Sequence, residues 1–182
     1  LSTLDYPLPM TDPDSSPTQT LSVANLKKAY GDFIAVRGLS FNLSPGDVLA
    51  LVGPNGAGKT TTMRAICGIL TPSEGSISIS GHDLAQDPIA AKSLLAYVPD
   101  DPKLFDAMTI WEHLEFIAST YNVADWQPKA DRLLEMFELT PKKKTLAMEL
   151  SRGMRQKVAI ACAYLHDPQY ILLDEPLTGL DP

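Results

Sequence analysis

The stretch Gly53-Pro54-Asn55-Gly56-Ala57-Gly58-Lys59-Thr60-Thr61 constrains this chain more than any other. It fits the pattern G-x-x-x-x-G-K-[ST], in which glycines let successive backbone N–H groups turn inward around an anion. The apolar run Val48-Leu49-Ala50-Leu51-Val52 precedes it and reads as a strand buried on both faces. Met63-Arg64-Ala65-Ile66-Cys67 follows and continues as a helix, whose N-terminus adds partial positive charge. Strand, loop and helix, in that order, are the context the motif requires. The pattern therefore points to a nucleoside triphosphate. Lys59 would reach the β- and γ-phosphates, and the Thr60 hydroxyl would ligate Mg²⁺.

A second acidic element completes this chemistry. Ile171-Leu172-Leu173-Asp174-Glu175-Pro176 is an apolar strand ending in two acids whose side chains point different ways. Asp174 can hold Mg²⁺, usually through water, while Glu175 can polarise the attacking water. Phosphoryl transfer asks for positioning and charge neutralisation more than covalent chemistry, which suits this equipment.

With 182 residues the chain can bury the core of one domain. It carries 15 Lys plus Arg against 22 Asp plus Glu, a net charge of −7. The one basic block, Lys142-Lys143-Lys144, reads as a solvated loop, so nucleic acid is not the expected partner. No apolar run approaches the ~20 residues needed to span a bilayer. Cys67 and Cys162 fall in apolar helical segments and read as buried, inert thiols.

Residues 1–20 hold Pro7, Pro9, Pro13 and Pro17 among Ser, Thr and Asp, and read as a disordered tail without a secretory signal. Met10 is the expected natural start, with residues 1–9 upstream or added sequence. Short β-like pieces follow at 21–26, 33–36 and 39–43, with a turn at Ser44-Pro45-Gly46-Asp47. Ser76-Ile77-Ser78-Ile79-Ser80 alternates strictly and reads as a half-exposed strand, and Leu94-Leu95-Ala96-Tyr97-Val98 as a buried one. From about Thr109 to Leu150 the period becomes helical, with Trp111, Leu114, Ile117 and Ala118 on one face and Leu133, Leu134, Phe137 and Leu139 on another. His82, His113 and His166 read as surface or core residues.

Taken together, Gly53 to Thr61, Leu150-Ser151-Arg152-Gly153-Met154-Arg155-Gln156, Ile171 to Pro176 and Gly179-Leu180-Asp181 resemble the Walker A, signature, Walker B and D-loop motifs of the ABC transporter ATP-binding subunit. The resemblance covers roughly Leu21 to Pro182. It implies an α/β fold of the P-loop NTPase type: a RecA-like parallel sheet core, an antiparallel β subdomain, and a helical signature subdomain at about 102–150. Residues 21–182 would form that ATP-binding domain, truncated after the D-loop. The family's switch histidine would follow beyond Pro182, so the piece read here is expected to be poorly soluble and nearly inactive alone.

The resemblance also assigns roles. Tyr30 matches the aromatic that stacks on adenine, the alternative being a packed core tyrosine. Gly53, Pro54, Asn55, Gly56, Ala57, Gly58, Lys59, Thr60 and Thr61 would line the phosphates, with Thr61 at the α-phosphate. Ser151 and Gly153 would bind γ-phosphate across a dimer, although Ser151 also reads as an ordinary helix N-cap. Asp181 would lie along the dimer seam. Asp100 stands where the family has the Q-loop glutamine; it can contact Mg²⁺ through water and tilts the reading toward an ABC-2-type or other export permease. Arg152 and Met154 replace the usual second glycine and glutamine of the signature. The implied protein is a cytoplasmic, membrane-peripheral ATPase that uses ATP and Mg²⁺, pairs with a second ATP-binding subunit as homo- or heterodimer, and powers a separate permease chain. The segment from Asp101 to Leu150 would receive that permease. The alternative is an ABC-type ATPase not tied to transport. No coiled-coil insertion of the DNA-repair kind interrupts Lys59 to Ser151.

Overall fold

The structure, a computed structural model, describes residues 20–175. Contacts group the chain into two units, Leu1–Leu94 and Leu95–Pro182. The proline-rich tail (residues 1–19) and the D-loop residues Gly179, Leu180 and Asp181 lie outside the described residues.

In the first unit, β1 (Leu21–Tyr30) and β2 (Phe33–Leu43) form a hairpin turned by Gly31 and Asp32. β3 (Glu74–Ile79) and the short β4 (His82–Asp83) complete an antiparallel sheet in the order β2-β1-β3-β4. Both hairpin strands run longer than the sequence suggests: β1 continues through the charged pair Lys27-Lys28, and β2 runs unbroken across Arg37-Gly38. The alternation expected around Ile77 and Ile79 is realised, with both buried and Ser76 exposed. In β1, Leu21, Val23 and Leu26 are all buried although Leu26 has the opposite parity. A register shift between Ala24 and Lys27, with Asn25 at φ 48°, inserts the extra residue that turns Leu26 inward. Gly75 fits this bulge because a Cβ there would lie 2.5 Å from the Ala24 and Asn25 carbonyl oxygens.

Two local readings change. The run Val48 to Val52 forms no named strand among the described residues: only Val52 makes a β-bridge, and Val48 is 96% exposed. Apolar side chains report a preference for leaving water, whereas a strand also needs a run of paired backbone groups, which composition does not specify. Conversely, the helix α1 (Lys59–Ile66) is joined by a short α2 (Pro88–Ser93) that hydrophobic period does not disclose. Its signal is local: Asp87 caps the Ala90 N–H and Pro88 occupies the first turn, where its missing N–H costs nothing.

The second unit pairs β5 (Leu95–Val98) in parallel with β6 (Tyr170–Leu173). Three helices, α3 (Ile110–Thr120), α4 (Trp126–Met136) and α5 (Arg152–Leu165), share one apolar core with Ile110, Leu114, Leu134, Leu139, Val158 and Leu165 at its centre. α3 starts with a capping box in which Thr109 and Glu112 satisfy each other's backbone donors; those bonds hold the Glu112 carboxyl below its usual range. Lys143 lies over the Trp111 ring, 3.3 Å from its centroid, and pairs with Asp131 at 2.7 Å. His113 is a core residue, its Nδ1 2.7 Å from the Thr109 carbonyl and its Nε2 accepting the Phe105 N–H. Burial pushes the Cys67 and Cys162 thiols up to about 12, so they stay protonated and unreactive near neutrality. Because Leu114 is fully buried in the shared helical core, Leu114→Ala in the full-length protein is expected to cost about 2–5 kcal/mol, read as a lower urea midpoint.

Candidate functional site: a phosphate loop and a pair of strand-end carboxylates

The first unit carries the phosphate loop. Gly56 and Gly58 lie in the left-handed region at φ 82° and 88°, which reverses the chain so that α1 begins at Lys59. Gly58 is sterically required: a Cβ would stand 2.4 Å from the Ala35 carbonyl oxygen and 3.2 Å from the Val36 side chain. The loop is thus pressed onto β2, with Ala35 and Val36 as a floor that sequence patterning alone does not reveal. The Thr62 N–H closes the first helical turn on the Gly58 carbonyl at 2.8 Å, and Ala57 turns back on Pro54 at 3.1 Å. The Lys59 ammonium folds over the loop, donating to the carbonyls of Gly53 at 2.9 Å and Pro54 at 3.2 Å.

This end of α1 suits an anion. Its N-cap is a glycine with no side-chain cap, and its first turn holds no acid. No acid of its own first turn offsets the helix's partial positive charge, and an ammonium is held at the loop mouth. Beside the loop, Phe33, Ile34, Val36 and Arg37 of β2 and Pro54, Gly56 and Ala57 line a cavity of about 490 Å³. Tyr30, at the end of β1, is 47% exposed, with the Lys28 ammonium 5.2 Å from its ring centroid. It is an open ring rather than a packed core tyrosine, the state that stacking on a base requires.

The second unit carries the carboxylates. Asp174 follows β6 and is only 1% exposed; its N–H donates to the Val98 carbonyl at 2.9 Å, extending the parallel pairing past the strand end. The Tyr97 hydroxyl donates to its carboxylate at 3.1 Å, a partner that sequence reading did not anticipate. Glu175, the next residue, is exposed and held at φ 48°. For a non-glycine residue this backbone costs of order 1–3 kcal/mol, strain of the kind found at functional sites. The adjacent acids therefore occupy opposite environments, one buried and oriented, the other turned to solvent. A buried carboxylate at a strand end fits Mg²⁺, which takes one or two protein carboxylates together with substrate phosphate oxygens.

The signature segment opens α5. Ser151 is its N-cap, the hydroxyl accepting the Met154 N–H at 3.3 Å. A hydroxyl engaged this way still carries its own donor, so the cap and a phosphate contact are compatible. Gly153 lies in the first turn, half-buried. Asp100 is half-buried after β5, and its carbonyl accepts from the Arg152 guanidinium at 3.4 Å. Gln156, 2% exposed, falls in the signature segment but has no role in the sequence reading; its amide donates to the Pro99 carbonyl at 3.3 Å. Thus Asp100, Ser151, Gly153, Asp174 and Glu175 sit on the second unit, and Tyr30 with Gly53 to Thr61 on the first. Gly58→Ala would force both a clash and a strained φ; it is expected to weaken triphosphate binding at least tenfold, about 1.4 kcal/mol or more, measured by calorimetry on the full-length protein.

The ABC transporter family model matches residues 36–178. Among curated relatives, the ABC-type transporter ATP-binding protein EcsA of Bacillus subtilis is 38% identical over 164 residues, covering 89% of this chain and 66% of EcsA. The SkfA peptide export ATP-binding protein SkfE of Bacillus subtilis is 39% identical, covering 90% of this chain and 68% of SkfE. A solved ATP-binding subunit of an ABC transporter superposes with a TM-score of 0.84 at 36% identity, over 89% of this chain and 68% of that one. The chain spans two thirds or less of the length of several of its relatives. With the phosphate loop, the carboxylate pair and the signature helix in place, this chain belongs to the ABC transporter ATP-binding family and has its P-loop NTPase fold.

Proposed function

We propose that the protein to which this chain belongs is the ATP-hydrolysing subunit that powers an ABC transporter, and that it works as a pair of such subunits. The observation that carries this reading is the uncapped, acid-free start of α1, entered through Gly58 and covered by the Lys59 ammonium. Main-chain N–H groups of Gly56 to Thr60 and the Lys59 ammonium would grip the β- and γ-phosphates, Thr61 the α-phosphate, and Tyr30 the adenine. Thr60 and Asp174, with Asp100 through water, would hold magnesium, which when bound neutralises charge on the phosphate oxygens. Glu175, exposed and held in a strained backbone, would orient and polarise the attacking water.

Ser151 and Gly153 would complete the nucleotide site of a second subunit, homologous or identical, with Asp181 along the seam. Residues 21–182 would serve as one ATP-binding domain, with 1–20 as a tail. No helix among the described residues is long and apolar enough to cross a membrane; by the family resemblance the pathway would belong to a separate permease chain, with this subunit at the inner face of the membrane. In the second unit, Tyr97, Phe105, Phe116, Tyr121 and His166 line an apolar cavity of about 280 Å³. This is a fitting seat for a short cytoplasmic helix of the permease. Asp100 in place of glutamine, and a relative named for peptide export, both favour an exporter. Glu175→Gln in the full-length protein is expected to lower ATP turnover by at least 100-fold while leaving Mg–ATP affinity within a few-fold. Phosphate release and equilibrium titration measure the two quantities, and turnover at the wild-type rate would reject the assignment.

A further inference from the structure

The signature turn departs from the family pattern at Arg152, and the segment after β5 departs from it at Asp100; these two departures meet. Arg152, Arg155 and Gln156 stand at i, i+3 and i+4 of α5 and so share one face of its first turns. All three reach the 99–106 segment. Arg152 donates to the Asp100 carbonyl at 3.4 Å and Gln156 to the Pro99 carbonyl at 3.3 Å, while the Arg155 guanidinium lies 3.9 Å from the Asp106 carboxylate. Arg155 also donates from Nε to the Leu150 carbonyl at 3.3 Å, which anchors it to its own helix start.

Two independent features make this more than surface contact. First, α5 carries no acid in its first turn and places two arginines at its positive end, an arrangement that the helix dipole disfavours unless anions face it. Asp101 and Asp106 supply that negative charge from the segment opposite. The Asp101 carboxyl is held below its usual range chiefly by its bond to Lys103, with Arg152 and Arg155 adding to the effect. Second, Gln156 is 2% exposed and its Oε1 has no hydrogen-bond partner among the described residues. A leucine or methionine would fill that place without an unpaired buried oxygen, so the amide's evident use is its bond to the Pro99 carbonyl.

We propose that Arg152, Arg155 and Gln156 are positioning residues that staple the acidic 99–106 segment to the start of α5, so that Asp100 and Ser151 move as one body. The inference rests on the ATPase reading above. An ion pair this exposed is weak as a source of stability; its effect lies in geometry, by keeping the Asp100 segment and the signature turn in register during closure on nucleotide.

The test reverses the one charge pair in the full-length protein, using Arg155→Asp, Asp106→Arg and the double variant. Turnover, KM for Mg–ATP, and hydrogen exchange of the 99–106 amides are measured for each. Each single reversal is expected to lower kcat about 2- to 5-fold, with KM changed less than twofold and faster exchange in 99–106; the double variant recovers both. Arg152→Lys should keep more turnover than Arg152→Ala, since it retains the charge while losing the planar fork. Single variants that leave kcat and exchange unchanged would overturn the staple, and so would a double variant that recovers neither. A wild-type protein without ATP turnover would instead overturn the ATPase reading, and exchange in the double variant would still decide the staple.

Discussion

The close approach of Gly58 to the Ala35 carbonyl sets the geometry on which the phosphate-loop motif of the first unit depends. A backbone turn can present several N–H groups to one anion only if it reverses tightly, and here the reversal is pressed against β2 with no room for a side chain. The bulge that turns Leu26 inward keeps β1 seated on the core beside β2. The hairpin therefore does more than cover the core. It holds the floor of the loop, one wall of the adjoining cavity, and the exposed ring of Tyr30.

In the second unit the governing constraint is a charge taken out of water. Asp174 is almost wholly buried, which would be costly without partners, and Tyr97 supplies one from the neighbouring parallel strand. One residue later the chain enters a left-handed conformation and returns Glu175 to solvent. Parallel pairing of β5 with β6 explains this economy, since it brings Tyr97 opposite Leu172 and extends to the Asp174 N–H. The helices of this unit share an apolar core through Leu114, Leu134 and Val158, with ion pairs such as Lys143–Asp131 at its margin.

Much of this was legible in the residues because the chemistry is local. Glycines at fixed offsets before a Lys-Thr pair can be read without knowing what surrounds them, and so can the apolar run ending in Asp174 and Glu175. The alternation through Ile77 and Ile79 and the helical stripe through Leu114 are local too. What failed to read was relational. Val48 to Val52 has the composition of a buried strand, yet pairing depends on an available edge that composition does not describe. The Asp87-Pro88 start of α2 was present but too short to show a period. Gln156 closes the signature segment in the sequence, but its burial and its bond to Pro99 come only from the packing.

The linear order of residues by itself determined the family, and it singled out the glycine-loop and strand-end carboxylate residues as candidates, because those signals follow from side-chain chemistry at short separation. Only the tertiary structure decided that Tyr30 is open and that Asp174 is buried beside Tyr97. It alone brought Arg152, some fifty positions along the chain, to the carbonyl of Asp100. Those outcomes depend on which distant segments pack together. That is set by the balance of burial, strand pairing and charge over the whole unit, a balance that no single window of sequence contains.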